Sequence, residues 1–434
     1  MKTCLPFVTI FLFIQISCTV TRHPVAPKQP LDTLWTSAVF ANHHAGLALY
    51  DLDNQKTIYE HHSERYFVPA SNTKLFTFYT GLKTLGDSVE ALRYVVRNDS
   101  LIFWGTGDPT LLNINIPSRK ALEFLGSRSE KLFYWPGNFQ QDFFGLGWAW
   151  DDYNDYYQPE LTAMPVYGNV IRFKAKPDRS LEITPATFGY FTDQAGDTFR
   201  IQRDLTENRF HGNPAPVTPT YEQHVPFRTS SELTVRLLQD TLKKPVQFLP
   251  DFSGSGYQTI QSVAVDTLYK HMLQPSDNFL AEQILLLSAS KQQHPMESKV
   301  AIDYMLNTYL ADLPDKPGWV DGSGLSRHNL FTPRSIVMLL QKLYREIPRE
   351  RLFPLLAVGG QSGTLKSSYR PVDGKPYIFA KSGSLTGCYN LSGYLITKTG
   401  KTFIFSFMNN NFNRSTSDIR KEVERILTAI RERY

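Results

Sequence analysis

Pro69-Ala70-Ser71-Asn72-Thr73-Lys74-Leu75 is the stretch on which the reading of this chain turns. Leu75, Phe76, Tyr79, Leu82 and Leu85 recur at the spacing of one helical face and stop near Gly86, so a helix is expected to open at or just before Ser71. On such a helix Ser71 lies at the positive end, and Lys74 sits one turn on, facing the same side. A hydroxyl is a poor nucleophile at neutral pH and needs a base beside it. An amine at this spacing suits that task once burial and nearby positive charge lower its proton affinity. Ser71 and Lys74 are therefore the expected nucleophile and base.

Two further motifs follow in order, Ser276-Asp277-Asn278 and Lys381-Ser382-Gly383. Together the three resemble the S-x-x-K, S-x-N and K-[ST]-G triplet of the penicillin-recognising serine enzymes. Their residue types suit the remaining tasks of acyl transfer. Ser276 is expected to relay a proton between Lys74 and a leaving amine, and Asn278 to hydrogen-bond the substrate backbone, with Asp277 beside them on the substrate-binding side. Lys381 is expected to supply positive charge near Lys74 and to hold a terminal carboxylate, assisted by the hydroxyls of Ser382 and Ser384 around Gly383. The backbone N–H groups of Ser71 and Ser384 are expected to receive the oxyanion.

Each motif alone is weak, because Ser288-Ala289-Ser290-Lys291 is a second S-x-x-K and Lys398-Thr399-Gly400 a second K-T-G. Context separates the copies. Ser288 is expected at the far end of a helix, where the helix terminus gives no help to a nucleophile. Lys398 is expected in solvent, at the tip between two apolar strands.

The resemblance extends beyond the triplet to the class C low-molecular-mass penicillin-binding proteins, which are D-Ala-D-Ala carboxypeptidases and endopeptidases. It is carried by Pro69 to Leu75, Gly105 to Pro109, Trp150 to Tyr153, Ser276 to Glu282, Asp321 to Arg327, Gly363 to Leu365 and Ala380 to Gly387, in family order. The long separation of the first two motifs fits as well, since this family inserts extra domain material there. What the resemblance implies is an α+β fold: a serine β-lactamase/transpeptidase-like domain, with a five-stranded antiparallel sheet flanked by helices and an inserted β-rich accessory domain. It implies peptidoglycan stem peptides as substrates and acylation by β-lactams. Ser382 stands where Thr is commoner. Asp108 and the Trp150 segment are expected to be structural or accessory, and the Asp321 loop to line the site.

Along the chain, residues 1–18 read as a signal sequence, 19–33 as a tether, 34–95 and 256–434 as the catalytic domain, and 96–255 as the insert, where short β-like runs and turn clusters replace helical periodicity. A hairpin is expected around Asp53-Asn54. Helices are expected over Ser231–Lys243, Val263–Met272, Asn278–Ser288, Lys299–Leu310, Pro333–Tyr344 and Ser417–Arg433, and a second hairpin over Tyr389–Ile396 and Thr402–Met408.

Composition bounds the alternatives. At 434 residues, 41% apolar and 20% charged, the chain can bury substantial cores. Its formal charge of +5 comes without a Lys/Arg run, so no nucleic-acid partner is expected. Lys2 followed by apolar Leu5 to Ile16 has the layout of an export signal, too short to span a bilayer. Gln15-Ile16-Ser17-Cys18 is similar to a bacterial lipoprotein signal, giving a periplasmic location with membrane attachment through Cys18. Cys4 would leave with the signal, so no disulfide framework is expected, and Cys388 should pack as a small apolar residue. His43-His44 and His61-His62 are adjacent pairs that do not converge, so neither a metal nor another cofactor is expected. Two rivals stay open: a β-lactamase or esterase on the same scaffold, and a catalytically silent peptidoglycan-binding protein.

Overall fold

The computed structural model describes residues 31, 35, 37–137, 139–253, 256–371 and 373–434. The expected signal sequence and Cys18 lie outside the described residues. At the centre is an antiparallel sheet whose strands run in the order Ala357–Val358, Ile378–Leu385, Cys388–Ile396, Thr402–Asn410, His44–Asp51, Lys56–His61. The first of these is a two-residue edge; the other five are the sheet expected of the resemblance. Both expected hairpins form within it.

Alternation along each strand explains why helices cover both faces. In Thr402–Asn410, Phe403, Phe405 and Phe407 enter one core, while Ile404 and Met408 enter the other. The first core is closed by the C-terminal helix Thr416–Arg433, which presents Ile419, Val423, Ile426, Leu427 and Ile430 at helical spacing. The second is closed by helices that include Lys74–Thr84, Val265–Leu273, Asn278–Lys291, Ser298–Thr308, Pro333–Glu346 and Arg349–Leu355. The Asn278–Lys291 helix is buried along most of its length, and its residues are apolar nearly all round, as a central helix requires.

A separate core forms between the first and second motifs. A five-stranded sheet has the order Val246–Phe248, Lys131–Tyr134, Ser100–Gly105, Ser88–Arg97, Gln258–Ala264. Two three-stranded sheets lie in the same stretch of chain, and Leu92, Leu101, Phe103, Ile171, Phe173 and Leu238 pack in their common core. The expected Ser231–Lys243 helix is present as Ser231–Leu242, started by Ser230, whose side chain accepts from Leu233 N. Ser88–Arg97 and Gln258–Ala264, which pair with each other in this sheet, lie almost wholly in the segments 34–95 and 256–434 expected as the catalytic domain. Gln258–Ala264 also takes the first residues of the segment expected as helix from Val263, so that helix begins at Val265. Among the described residues no helix is long and apolar enough to cross a membrane.

Candidate active site

The helix Lys74–Thr84 is entered through a short 3-10 turn, Ala70–Thr73, so Ser71 sits on the turn and Lys74 on the first helical position. Ala70 holds a left-handed φ of 47°, which tips Ser71 out of the chain's direction. Three contacts pin that turn. Asn72 Nδ2 donates to Lys381 O at 3.1 Å, Thr73 Oγ1 donates to Ala70 O at 2.9 Å, and Asn390 Nδ2 donates to Val68 O at 2.9 Å. The K-S-G strand Ile378–Leu385 is thereby drawn against the turn. At Gly383 a Cβ would stand 2.7 Å from Pro69 O and 2.8 Å from Ser71 N, so only glycine permits this approach.

Lys74 is fully buried, and its Nζ donates to Ser71 Oγ at 3.0 Å, Asn278 Oδ1 at 2.7 Å and Ser323 O at 2.7 Å. Burial lowers its proton affinity to about 8, against an opposing pull from the carboxylates of Asp321, Glu282 and Asp277. The positive charge of Lys381 was expected to act on Lys74. In the structure the repulsion between the two amines is felt at Lys381, which burial and Lys74 together drive well below the ordinary lysine value.

Lys381 is also fully buried. Its Nζ donates to Ser276 Oγ at 2.8 Å and to Ser382 O at 2.6 Å, so it stands behind Ser276 rather than in the open cleft. Ser276 is held by Lys381 and makes no hydrogen bond to Lys74, the partner expected for its relay. Ser276 has a left-handed φ of 70°, a second strained residue at the centre of the site. Asp277 accepts from Leu280 N at 2.9 Å and so caps the Asn278–Lys291 helix; burial raises its proton affinity. Ser382 Oγ donates to Thr364 Oγ1 at 2.7 Å.

A cleft of about 1250 Å³ opens over these groups. Ser71, Ser276, Asn278 and Ser384 face it together with Tyr157 and Arg327, whereas Lys74 and Lys381 lie beneath it. One wall comes from the stretch between the first two motifs, through Asp151, Asp152, Tyr156 and Tyr157. Asn278 Nδ2 donates to Tyr157 O at 3.2 Å across that seam.

Reading of the motifs alone does not reach Ser323, whose carbonyl is the third partner of Lys74, nor Thr364, nor Tyr157. The first two lie in the stretches Asp321–Arg327 and Gly363–Leu365, which are legible as family-like segments without a role for either side chain or carbonyl. Tyr157 acts through its backbone, which leaves no trace in the residue type.

The second copies lie elsewhere. Ser288 is buried inside its helix, donating to Ile284 O at 2.7 Å and accepting from Thr84 Oγ1 at 2.9 Å, while Lys291 pairs with Glu90 on the surface side. Lys398 sits in the exposed turn between two strands and pairs with Glu432 at 2.9 Å. Cys388 is a free, buried thiol, 3.7 Å from Arg327 Nη1, and burial raises its proton affinity. Asp108 is buried, accepting from Thr110 N at 3.0 Å and Thr110 Oγ1 at 2.9 Å, and burial raises it to about 6. His44 stacks on Phe67 and His61 on Trp35, each with ring centres 4.0 Å apart.

The sequence profile of the D-Ala-D-Ala carboxypeptidase 3 (S13) family matches residues 28–208 and 250–430. The chain belongs to that family. It is accordingly a serine-type D-Ala-D-Ala carboxypeptidase of the class C penicillin-binding kind. Among curated proteins it is similar to penicillin-sensitive carboxypeptidase A of Dictyostelium discoideum, at 23% identity over 83% of this chain and 81% of that one. It is also similar to D-alanyl-D-alanine carboxypeptidase DacB of Haemophilus influenzae, at 22% identity over 88% of each. Among solved structures, penicillin binding protein 4 of H. influenzae superposes with a TM-score of 0.74 at 19% identity, covering 93% of this chain and 98% of that one. That likeness shows the fold, a transpeptidase-like α+β domain with additional β structure. A second structure of the same protein is a complex with a β-lactam, with a TM-score of 0.70.

Gly383 offers a direct check on the site's geometry. Gly383→Ala would force the nucleophile turn away from the strand, and a displacement of about 1 Å at a reacting atom costs on the order of 100-fold in rate. The expected result is a loss of about that size in labelling by a fluorescent penicillin, with circular dichroism unchanged.

Proposed function

We propose that this carboxypeptidase cleaves peptidoglycan stem peptides through an ester on Ser71, and that its site consists of Ser71, Lys74, Ser276, Asn278, Lys381, Ser382, Gly383 and Ser384 with Asp277 as the cap beside them. The observation that carries the reading is the pair of buried lysines, each bonded to a different serine hydroxyl of one cleft: Lys74 to Ser71 and Lys381 to Ser276.

Ser71 Oγ attacks the carbonyl carbon of the penultimate D-Ala while its proton passes to Lys74 Nζ. The carbonyl oxygen takes up negative charge opposite the N–H groups of Ser71 and Ser384, for which the close approach at Gly383 is the support. The C–N bond breaks, and the terminal D-Ala amine leaves with the proton that Ser71 gave up, passed from Lys74 through the hydroxyl of Ser276, which Lys381 holds, so that Lys74 is a free amine again. Water then adds to the ester carbonyl, giving a proton to Lys74, and the ester bond to Ser71 breaks as Lys74 returns that proton to Ser71 Oγ. A β-lactam ring opens by the same attack. Asn278 offers its amide to the substrate backbone, and Ser384, from the strand edge, faces the terminal carboxylate.

Residues 96–255 are proposed as an accessory insert in a catalytic domain made of 34–95 and 256–434. The separate core supports an insert in this stretch. Residues 1–18 are proposed to direct export to the periplasm, with Cys18 as a lipid anchor. Mass spectrometry of the mature N-terminus is expected to find an acylated Cys18; an unmodified start beyond it removes the anchor.

The direct test is labelling of the purified protein with a fluorescent penicillin, then incubation with a pentapeptide ending in D-Ala-D-Ala. Wild type and Ser288→Ala are expected to label and to release D-Ala, and Ser71→Ala to do neither. Rapid turnover of the label without peptide cleavage would point to a β-lactamase, and no label at all to a silent relative. The pH dependence follows from Lys74, which must be the free amine to act. Burial lowers it to about 8, so the acylation rate is expected to fall about tenfold per pH unit below that value and to level off above it.

A further inference from the structure

A neutral amine has two N–H bonds and one lone pair, and what surrounds Lys74 decides where each points. Two of its three partners can only accept. Ser323 O is a backbone carbonyl at 2.7 Å. Asn278 Oδ1, also at 2.7 Å, is identified as the oxygen because Nδ2 of the same amide donates to Tyr157 O. With both N–H bonds on these carbonyls, the lone pair faces the remaining partner, Ser71 Oγ at 3.0 Å, as general-base catalysis requires. The direction of the base therefore depends on what holds the two carbonyls still.

The Ser323 carbonyl is held by two buried carboxylates. Glu282 accepts from Gly322 N at 2.9 Å and Ser323 N at 2.7 Å. Asp321 accepts from Gly324 N at 2.8 Å, Ser326 N at 2.7 Å, Asn329 Nδ2 at 2.8 Å and Trp148 Nε1 at 3.0 Å. The loop has no slack on its other side, since a Cβ on Gly324 would meet Ala70 O at 1.9 Å. Trp148 and Tyr157 both come from the proposed insert, so that stretch supports both carbonyls, one through Asp321 and one through Asn278.

We propose that Glu282, Asp321 and Trp148 are positioning residues for the catalytic base: they clamp the loop so that the Ser323 carbonyl, with Asn278, takes both N–H bonds of neutral Lys74 and leaves its lone pair on Ser71. This rests on the reading of Lys74 as the base. The titratable groups facing Lys74 are Glu282, Asp321, Asp277 and, behind Ser276, Lys381. The three carboxylates favour the ammonium form and oppose the effect of burial. Burial and the charge of Asp321 in turn raise Glu282, while the N–H groups of Gly322 and Ser323, one on each of its oxygens, hold the carboxylate form.

The test is the rate of Ser71 acylation by a fluorescent penicillin across the pH range, in the full chain. Glu282→Gln keeps the side chain's shape but turns an N–H donor toward one of two backbone N–H groups and removes a carboxylate. Its plateau rate is expected to fall at least about tenfold, and its acidic limb to move to lower pH, because a group that favours the ammonium is gone. Trp148→Phe keeps an aromatic side chain and removes the indole N–H donor together with the ring that carries it. Its plateau is expected to fall about threefold or more, with wild-type thermal stability and final labelling stoichiometry. Wild-type rates in either folded variant overturn the proposal, as does a slower Glu282→Gln whose limb has not moved. If Glu282→Gln does not fold, Trp148→Phe decides alone. Lys74→Ala separates this from the reading beneath it: acylation of that variant at the wild-type rate removes Lys74 as the base, whatever the clamp does.

Discussion

Burial of Lys74 is the constraint around which this molecule is organised. An ammonium group taken out of water costs several kcal/mol in real proteins unless it is paired and hydrogen-bonded, and the cheaper outcome is loss of its proton. Here the side chain is sealed beneath the cleft floor by the helix Asn278–Lys291, the Asp321 loop and the nucleophile turn, each contributing one acceptor. Burial lowers the proton affinity to about 8 while the nearby carboxylates stop it falling further. The result is an amine that still takes up a proton and also exists as the free base near neutral pH, the compromise that acid–base catalysis needs.

That arrangement requires three distant parts of the chain to meet within hydrogen-bonding distance, and the central sheet supplies the rigidity. The strand Ile378–Leu385 pairs in register with Cys388–Ile396, placing Lys381 opposite Ser392 and Ser384 opposite Tyr389. From that fixed edge Lys381 reaches Ser276, and its carbonyl receives Asn72 from the nucleophile turn. Asn390 and Asn410, at the ends of the two neighbouring strands, tie Val68 to the same sheet: both donate to its carbonyl, and Asn410 Oδ1 accepts from its N–H at 2.6 Å. Two residues with left-handed backbone, Ala70 and Ser276, are held in place by these contacts on either side of the cleft. Local strain of about 1–3 kcal/mol per residue persists only where the surroundings over-determine the conformation, as they do here.

The stretch between the first two motifs contributes more to the site than its own core would suggest. Asp151, Asp152, Tyr156 and Tyr157 form one wall of the cleft, Tyr157 orients Asn278, and Trp148 donates to Asp321. Phe143, Leu146, Trp150 and Tyr156 of this stretch are exposed, and Tyr156 lines the cleft. The wall and the catalytic floor are thus built from different parts of the chain and joined by polar contacts through Asn278 and Asp321.

Much of this was legible in the sequence, for reasons that differ from element to element. Period-3.6 and period-2 patterns reflect burial of one face, so the helices at Ser231, Asn278 and Pro333 and the two hairpins of the central sheet could be read from residue types alone. The nucleophile turn and its lysine were legible because an i, i+3 spacing is local, and Ser288 could be set aside because its place in a helix is local too. What lay beyond reach were pairings between distant residues. No spacing in the chain says that Ser276 would meet Lys381 and not Lys74, or that a backbone carbonyl of the Asp321 loop would complete the base. The two-residue edge strand Ala357–Val358 and the strand before Val265 likewise exist because a partner strand lies alongside them. By itself the sequence determined the main helices, the two hairpins of the central sheet, the order of the motifs and the proposal of Ser71 as the nucleophile, all of which rest on local geometry and the periodicity of burial. Only the tertiary structure decided which hydroxyl each lysine serves, because hydrogen bonds between residues hundreds of positions apart depend on how the helices and the sheet pack.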